Sequence, residues 1–139
     1  MQLEEIMSKV VLKCSNLTKK LNKNTKIENV SFEVCENDIL GFIGPNGAGK
    51  TTIIKLILGL YHFDSGSVEI GSFDLKKDFV KAISHVGAII ENPDLYMYMT
   101  GYENLMISAR IYNISKKKVN EVIKLVNLEN KIYEKVSTY

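Results

Sequence analysis

Ile39-Leu40-Gly41-Phe42-Ile43-Gly44-Pro45-Asn46-Gly47-Ala48-Gly49-Lys50-Thr51-Thr52 decides the fold of this 139-residue chain. Its first five residues form a continuous apolar run, the pattern of a strand buried on both faces, and predict a central strand. The next eight, Gly44-Pro45-Asn46-Gly47-Ala48-Gly49-Lys50-Thr51, meet the pattern G-x-x-x-x-G-K-[ST] in full. An apolar stretch over 50–60 follows and predicts a helix, stopped by Gly59 and the Asp64-Ser65-Gly66 turn. Strand, glycine loop and helix therefore stand in the order that a phosphate cradle requires. Gly44, Gly47 and Gly49 allow the backbone to curl so that successive amides point into one concavity. The helix beginning near Lys50 adds its unpaired amides and positive dipole end. The Lys50 ammonium suits β and γ phosphates, and the Thr51 hydroxyl suits Mg²⁺. Thr52 can reach the α-phosphate region or serve the helix start equally well.

Outward from this core, residues 9–14 and 27–34 read as strands, separated by the polar turn Asn22-Lys23-Asn24-Thr25. Ser67-Val68-Glu69-Ile70-Gly71 alternates as a half-exposed strand, and Val86-Gly87-Ala88-Ile89-Ile90 reads as a second buried one, with a helix over 76–84 between them. Thr100-Gly101-Tyr102-Glu103 has capping-box spacing and predicts a helix to near Tyr112. Ser115 can cap the next helix, with Val119, Val122, Ile123 and Val126 on one face and Lys116, Lys117, Lys118 and Lys124 turned to water.

Composition sets wide bounds. With 45% hydrophobic and 24% charged residues, the chain can bury a core. Its net charge of +2, from 18 basic and 16 acidic residues that are interspersed, gives no global pull toward nucleic acid. No apolar run reaches the roughly 18 residues of a membrane span. The amino terminus carries acids where a secretory leader carries bases, which argues against export. Cys14 and Cys35 lie in β-like apolar stretches and read as small buried hydrophobes of a reducing compartment.

A phosphate grip alone leaves a transporter ATPase, a GTPase and a small-molecule kinase open. The flanks resemble the ABC-transporter nucleotide-binding family over nearly the whole chain. Glu28-Asn29-Val30-Ser31-Phe32-Glu33-Val34 is similar to that family's strand before the loop, and 44–52 to its Walker A loop. Gly59-Leu60, Ser65-Gly66-Ser67-Val68-Glu69-Ile70-Gly71 and Thr100-Gly101-Tyr102-Glu103-Asn104-Leu105 resemble successive later segments. The resemblance implies an α/β fold: a P-loop NTPase core with an antiparallel β segment at the amino end and the start of a helical subdomain. Residues 1–90 would form the β-rich and P-loop core, and residues 91–139 the Q-loop-like region and helical start, of one incomplete domain. It also implies ATP and Mg²⁺ as ligands, transmembrane permease subunits and a second nucleotide-binding domain as partners, and a cytoplasmic place at the inner membrane face. Membrane contact is expected only through those partners, and no nucleic acid is expected.

Three departures qualify this likeness. Glu91 stands where the family carries a Gln, and its carboxylate could ligate Mg²⁺ or its water, act as a Walker-B-like acid, or be a loop acid with no role. Glu91-Asn92-Pro93 followed by Leu95-Tyr96 is similar to the branch that exports bacitracin and lantibiotics or gives immunity to them. Leu21 stands where an aromatic ring usually stacks on adenine, which shifts the expected affinity toward the phosphates. The family's signature loop, Walker B strand, catalytic glutamate and switch histidine find no counterpart. No Asp in the chain follows four apolar residues, and Lys135-Val136-Ser137-Thr138-Tyr139 resembles the stretch just before the signature loop. A truncated domain that binds nucleotide and hydrolyses it poorly is the expectation. The alternatives are a self-contained kinase or GTPase, although no Asn-Lys-x-Asp motif occurs and Arg110 is the only arginine, and a nonfunctional remnant.

Overall fold

The computed structural model describes residues 9–22, 26–91 and 95–139. Most of the predicted 22–25 turn, the amino-terminal acids, and Asn92 and Pro93 lie outside them. The chain divides into two compact units, Met1–Ile90 and Glu91–Tyr139.

The first unit is built on a four-stranded antiparallel sheet of order β2-β1-β3-β4: β1 Val10–Lys20, β2 Lys26–Cys35, β3 Ser65–Ile70 and β4 Phe73–Asp74. β1 lies inside the sheet, with Cys14 opposite Phe32 on one side and Val68 on the other. It runs six residues past its expected end at Cys14. The polar stretch beyond that point hides the continuation because the register slips between Cys14 and Leu17. Asn16 there has φ 50°, and its amide donates to Ser31 Oγ at 2.8 Å. The slip returns Leu17 to the core, where it is fully buried. Gly66 on β3 faces the irregularity with φ +93°. A Cβ there would come within 2.5 Å of the Ser15 and Asn16 carbonyl oxygens.

Helix α1, Lys50–Ile57, lays Ile53 and Leu56 against the core formed by Cys14, Leu17, Val68 and Ile70. It ends two to three residues before the expected limit. Gly59, at φ +69°, donates to the Leu56 carbonyl at 3.1 Å, and Leu60 donates to Lys55 at 2.9 Å, a Schellman pair that uses the last free carbonyls. Helix α2, Phe79–Ile83, is shorter than the expected 76–84. Asp74 Oδ1 accepts the amides of Lys76 and Lys77 at 2.9 and 3.0 Å and holds them in a turn instead.

Two expected buried strands are absent among the described residues. Residues 39–43 and 86–90 join no ladder, and Ile39 and Ile43 are exposed at 101% and 99%. A doubly buried strand needs neighbours on both edges and cover on both faces. The four-stranded sheet supplies none to these segments. Only the ends of these segments turn inward: Val86 packs against the core, and Phe42 does so while meeting Phe32 edge to face at 5.2 Å.

The second unit is a helical hairpin, α3 Gly101–Ile111 and α4 Lys116–Leu125, closed by a 3₁₀ turn over Val136–Thr138. Thr100 and Glu103 form the predicted capping box, and Ser115 caps α4 through the Lys118 amide. Val119 and Ile123 join Ala109 and Ile132 in the core, whereas Val122 and Val126 face solvent with the lysines. The first amides of α3 are satisfied by the returning chain: Gly101 donates to Glu134 and Tyr102 to Ile132. Both helices end, like α1, with a left-handed residue, here Asn113 and Asn127. Asn104, only 8% exposed, holds the segment before α3. Its Oδ1 accepts the Tyr96 amide at 2.9 Å, and its Nδ2 donates to the Tyr96 and Thr100 carbonyls at 3.1 and 2.9 Å.

Candidate functional site

The glycine loop of the first unit turns at Pro45, whose carbonyl accepts the Ala48 amide at 3.2 Å. Gly47 and Gly49 take φ +83° and +94°, a conformation that an L side chain adopts only with strain. Gly44 does not, and a Cβ there would merely touch Ala48 at 3.4 Å. Its role is thus narrower than that of the other two glycines. Gly49 is also the residue from which α1 starts, and no side chain caps that start. The amides of the first turn are left to whatever occupies the concavity.

Ile27 at the beginning of β2 supports this arrangement from below, since a Cβ on Gly49 would stand 3.2 Å from its Cγ1. Sequence reading assigned Ile27 only to a strand. Alternation along β2 places it inward, but only the folded sheet sets it beneath the loop.

Lys50 Nζ donates to the Gly44 and Pro45 carbonyls at 2.6 and 2.8 Å, so the ammonium folds back across the loop. Asn46, Gly47, Gly49, Lys50, Thr51 and Thr52 line a cavity of about 220 Å³ together with Leu21. Eight of the nine expected loop positions are therefore lining groups or direct partners of Lys50, and the ninth, Ala48, closes the turn. A cradle of positive-φ glycines, an open helix start, one ammonium and two hydroxyls is a donor set for a polyphosphate and its divalent cation. Leu21 offers that cavity an aliphatic wall and no ring.

Glu91 belongs to the second unit, which it opens with φ 59°. Thr51 and Glu91, both expected at Mg²⁺, fall in different units. Among the described residues no group of three or more His, Cys, Asp or Glu side chains could hold a metal ion, and no helix is long and apolar enough to cross a membrane. Cys14 is buried in the core, and desolvation pushes its thiol up to about 11; Cys35 is half-buried, and both are free.

The chain is similar to known proteins. The profile of the family described as ABC transporter matches residues 27–139. The ABC transporter ATP-binding protein YhcH of Bacillus subtilis (strain 168), itself uncharacterized, is 45% identical over 132 residues, covering 94% of this chain and 43% of its own length. The bacitracin transport ATP-binding protein BcrA of Bacillus licheniformis is 35% identical over 130 residues, covering 93% of this chain and 42% of its own. The lantibiotic transport ATP-binding protein SrtF of Streptococcus pyogenes is 32% identical over 120 residues, covering 86% and 51%. A solved ATP-binding subunit of an ABC transporter superposes with a TM-score of 0.77 at 26% identity, covering 93% of this chain and 55% of that one. The chain thus spans about half or less of the length of the proteins it matches.

Proposed function

This chain belongs to the ABC transporter family, and from that premise we propose that residues 44–52 bind the phosphates of Mg-ATP or Mg-ADP as the nucleotide-binding part of a transport ATPase subunit. The observation that carries this reading is the joint geometry of Gly47, Gly49, Lys50 and Thr51 around one cavity. The amides of the loop and of the α1 start receive phosphate oxygens. Lys50 exchanges the two loop carbonyls for β and γ oxygens, a short swing for an ammonium already held over the loop. Thr51 gives its hydroxyl to the cation, and bound Mg²⁺ supplies charge neutralisation at the phosphates. Thr52 stands at the α-phosphate side. Glu91 is a further candidate for the cation or its water. Leu21 supplies apolar contact to the base without stacking, so base discrimination is weak.

The likeness to bacitracin and lantibiotic transport proteins supports an antimicrobial-peptide export or immunity system. Permease subunits and a second nucleotide-binding domain are the partners at the inner membrane face. Isothermal titration of the wild type against Lys50→Ala tests the binding reading: a loss of at least about tenfold in affinity is expected from removing a charge-assisted contact. Equal affinities would overturn it. Residues 1–139 hold no Asp at the end of an apolar strand and no signature loop, so this chain alone should turn ATP over very slowly. Phosphate release that is fast and Lys50-dependent would contradict that.

A further inference from the structure

We infer that the turn between α3 and α4 is a contact site for an anionic lipid bilayer surface, made directly by this chain in addition to any contact through partner subunits. Residues 110–118, Arg110-Ile111-Tyr112-Asn113-Ile114-Ser115-Lys116-Lys117-Lys118, are exposed without interruption. They present two kinds of side chain at one tip. Ile111 and Tyr112 are 69% and 74% exposed and Ile114 is 44% exposed, at a convex end where the hairpin core cannot cover them. Around them stand four cations. Lys118 pairs with Glu121 at 3.4 Å, and among the described residues no carboxylate pairs with Arg110, Lys116 or Lys117.

The placement of the lysines is electrostatically costly. Lys116, Lys117 and Lys118 occupy the first turn of α4, whose opening turn holds no acid. Cations there oppose the positive end of the helix dipole, where Asp or Glu is favoured. A local rule broken three times in succession, with only the Lys118–Glu121 pair to offset it, marks a surface shaped for something other than stability. A solvated face would not need the dipole penalty or the two isoleucines.

The chemistry selects the occupant. Exposed Ile and Tyr on a convex tip suit the boundary between headgroups and acyl chains, where a tyrosine keeps its hydroxyl wet. The flanking cations suit acidic headgroups, each contributing roughly a fivefold gain in affinity near such a surface. A nucleic acid would match the charge and leave Ile111 and Ile114 without a role. Charge reversal at the lysines also improves the helix start, so a loss of binding in that variant cannot be ascribed to unfolding.

The test is co-sedimentation of the full chain with phosphatidylcholine vesicles, with vesicles containing phosphatidylglycerol, and, in a parallel titration, with a single-stranded oligonucleotide. Binding to the anionic vesicles alone, suppressed by high salt, is expected. K116E/K117E/K118E should weaken it by at least about a hundredfold, K116Q/K117Q by roughly twentyfold. I111S/I114S should weaken it at unchanged net charge. Equal sedimentation of wild type and lysine variants, equal binding to neutral vesicles, or preference for the oligonucleotide would each overturn the inference. Nucleotide affinity, measured on the same variants, should not change. The result is therefore independent of the phosphate-site reading.

Discussion

Single residues carry two contrasting constraints in the first unit. Gly49 and Gly66 share a positive φ, but their surroundings differ. Beneath Gly49 lies the end of an isoleucine side chain, which can yield. Opposite Gly66 lie two backbone carbonyls of the β1 irregularity, which cannot. Gly66→Ala should therefore cost more than the roughly 1–2 kcal/mol of the left-handed conformation itself. Urea unfolding should show a shift of at least about 2 kcal/mol, and a change below about 0.5 kcal/mol would mean that β3 slides past β1 without resistance. At this scale most of the loop was readable, because Gly47, Gly49 and Lys50 form a motif with a physical reason for each position, whereas the curl expected of Gly44 is not used. Neither Gly66 as an obligatory partner of Asn16 nor Ile27 as the floor of the loop could be read. Both depend on which strand lies beside which, and no local pattern encodes that.

At the scale of elements, legibility followed the range of the interactions that form each one. The capping box of α3 uses only Thr100 and Glu103, three residues apart, and the helix begins where those residues predict. The strands over 39–43 and 86–90 depend on neighbours, so their apolar runs were a statement about surroundings that this chain does not supply. The Asn104 clamp stands between these cases. It lies inside a well-predicted helix, yet its function is to replace a missing ladder by bonding both polar groups of Tyr96. Asn104→Asp keeps the acceptor and removes the donor, turning carboxylate oxygens toward the Tyr96 and Thr100 carbonyls. A loss of about 1–3 kcal/mol is expected in denaturant titrations at neutral pH. Acidification should return part of it, since a protonated carboxyl can donate once. An unchanged midpoint at neutral pH would remove the clamp from the account of this segment.

The whole molecule should be most stable between an acid and an alkaline limb, and both units share the acid one. Asp64 accepts the Lys20 amide and the Lys19 ammonium, which hold its carboxyl below the usual carboxylate range. Glu103 is held low by the Thr100 amide and hydroxyl. A depressed folded pKa contributes stability that is present above the unfolded value, near about 4, and lost as pH falls through the folded one. Lys13 is raised chiefly by its hydrogen bond to Glu33, and burial raises the Cys14 thiol to about 11. Raised values act in the opposite sense: their contribution is complete below the unfolded pKa, 9.0 for the thiol, and is lost as pH climbs toward 11. Thermal melts from pH 3 to 11 should fall at both ends, within about the ranges these groups titrate. Asp64→Asn should flatten the acid limb, and an unaltered limb would place its origin elsewhere.

The position of β1 inside the sheet also bears on how the chain leaves the ribosome. Its partner β2 begins at Lys26, a few residues after β1 ends, but β3 on its other side arrives about 45 residues later, and α1 lies wholly within that interval. At synthesis rates of roughly 5–20 residues per second, several seconds pass before β3 can close the sheet and cover Ile53 and Leu56. Late in that wait the cradle helix has only the β1–β2 part of its core to rest its apolar face on, so the nascent chain is open to chaperone capture just when its nucleotide loop has been made.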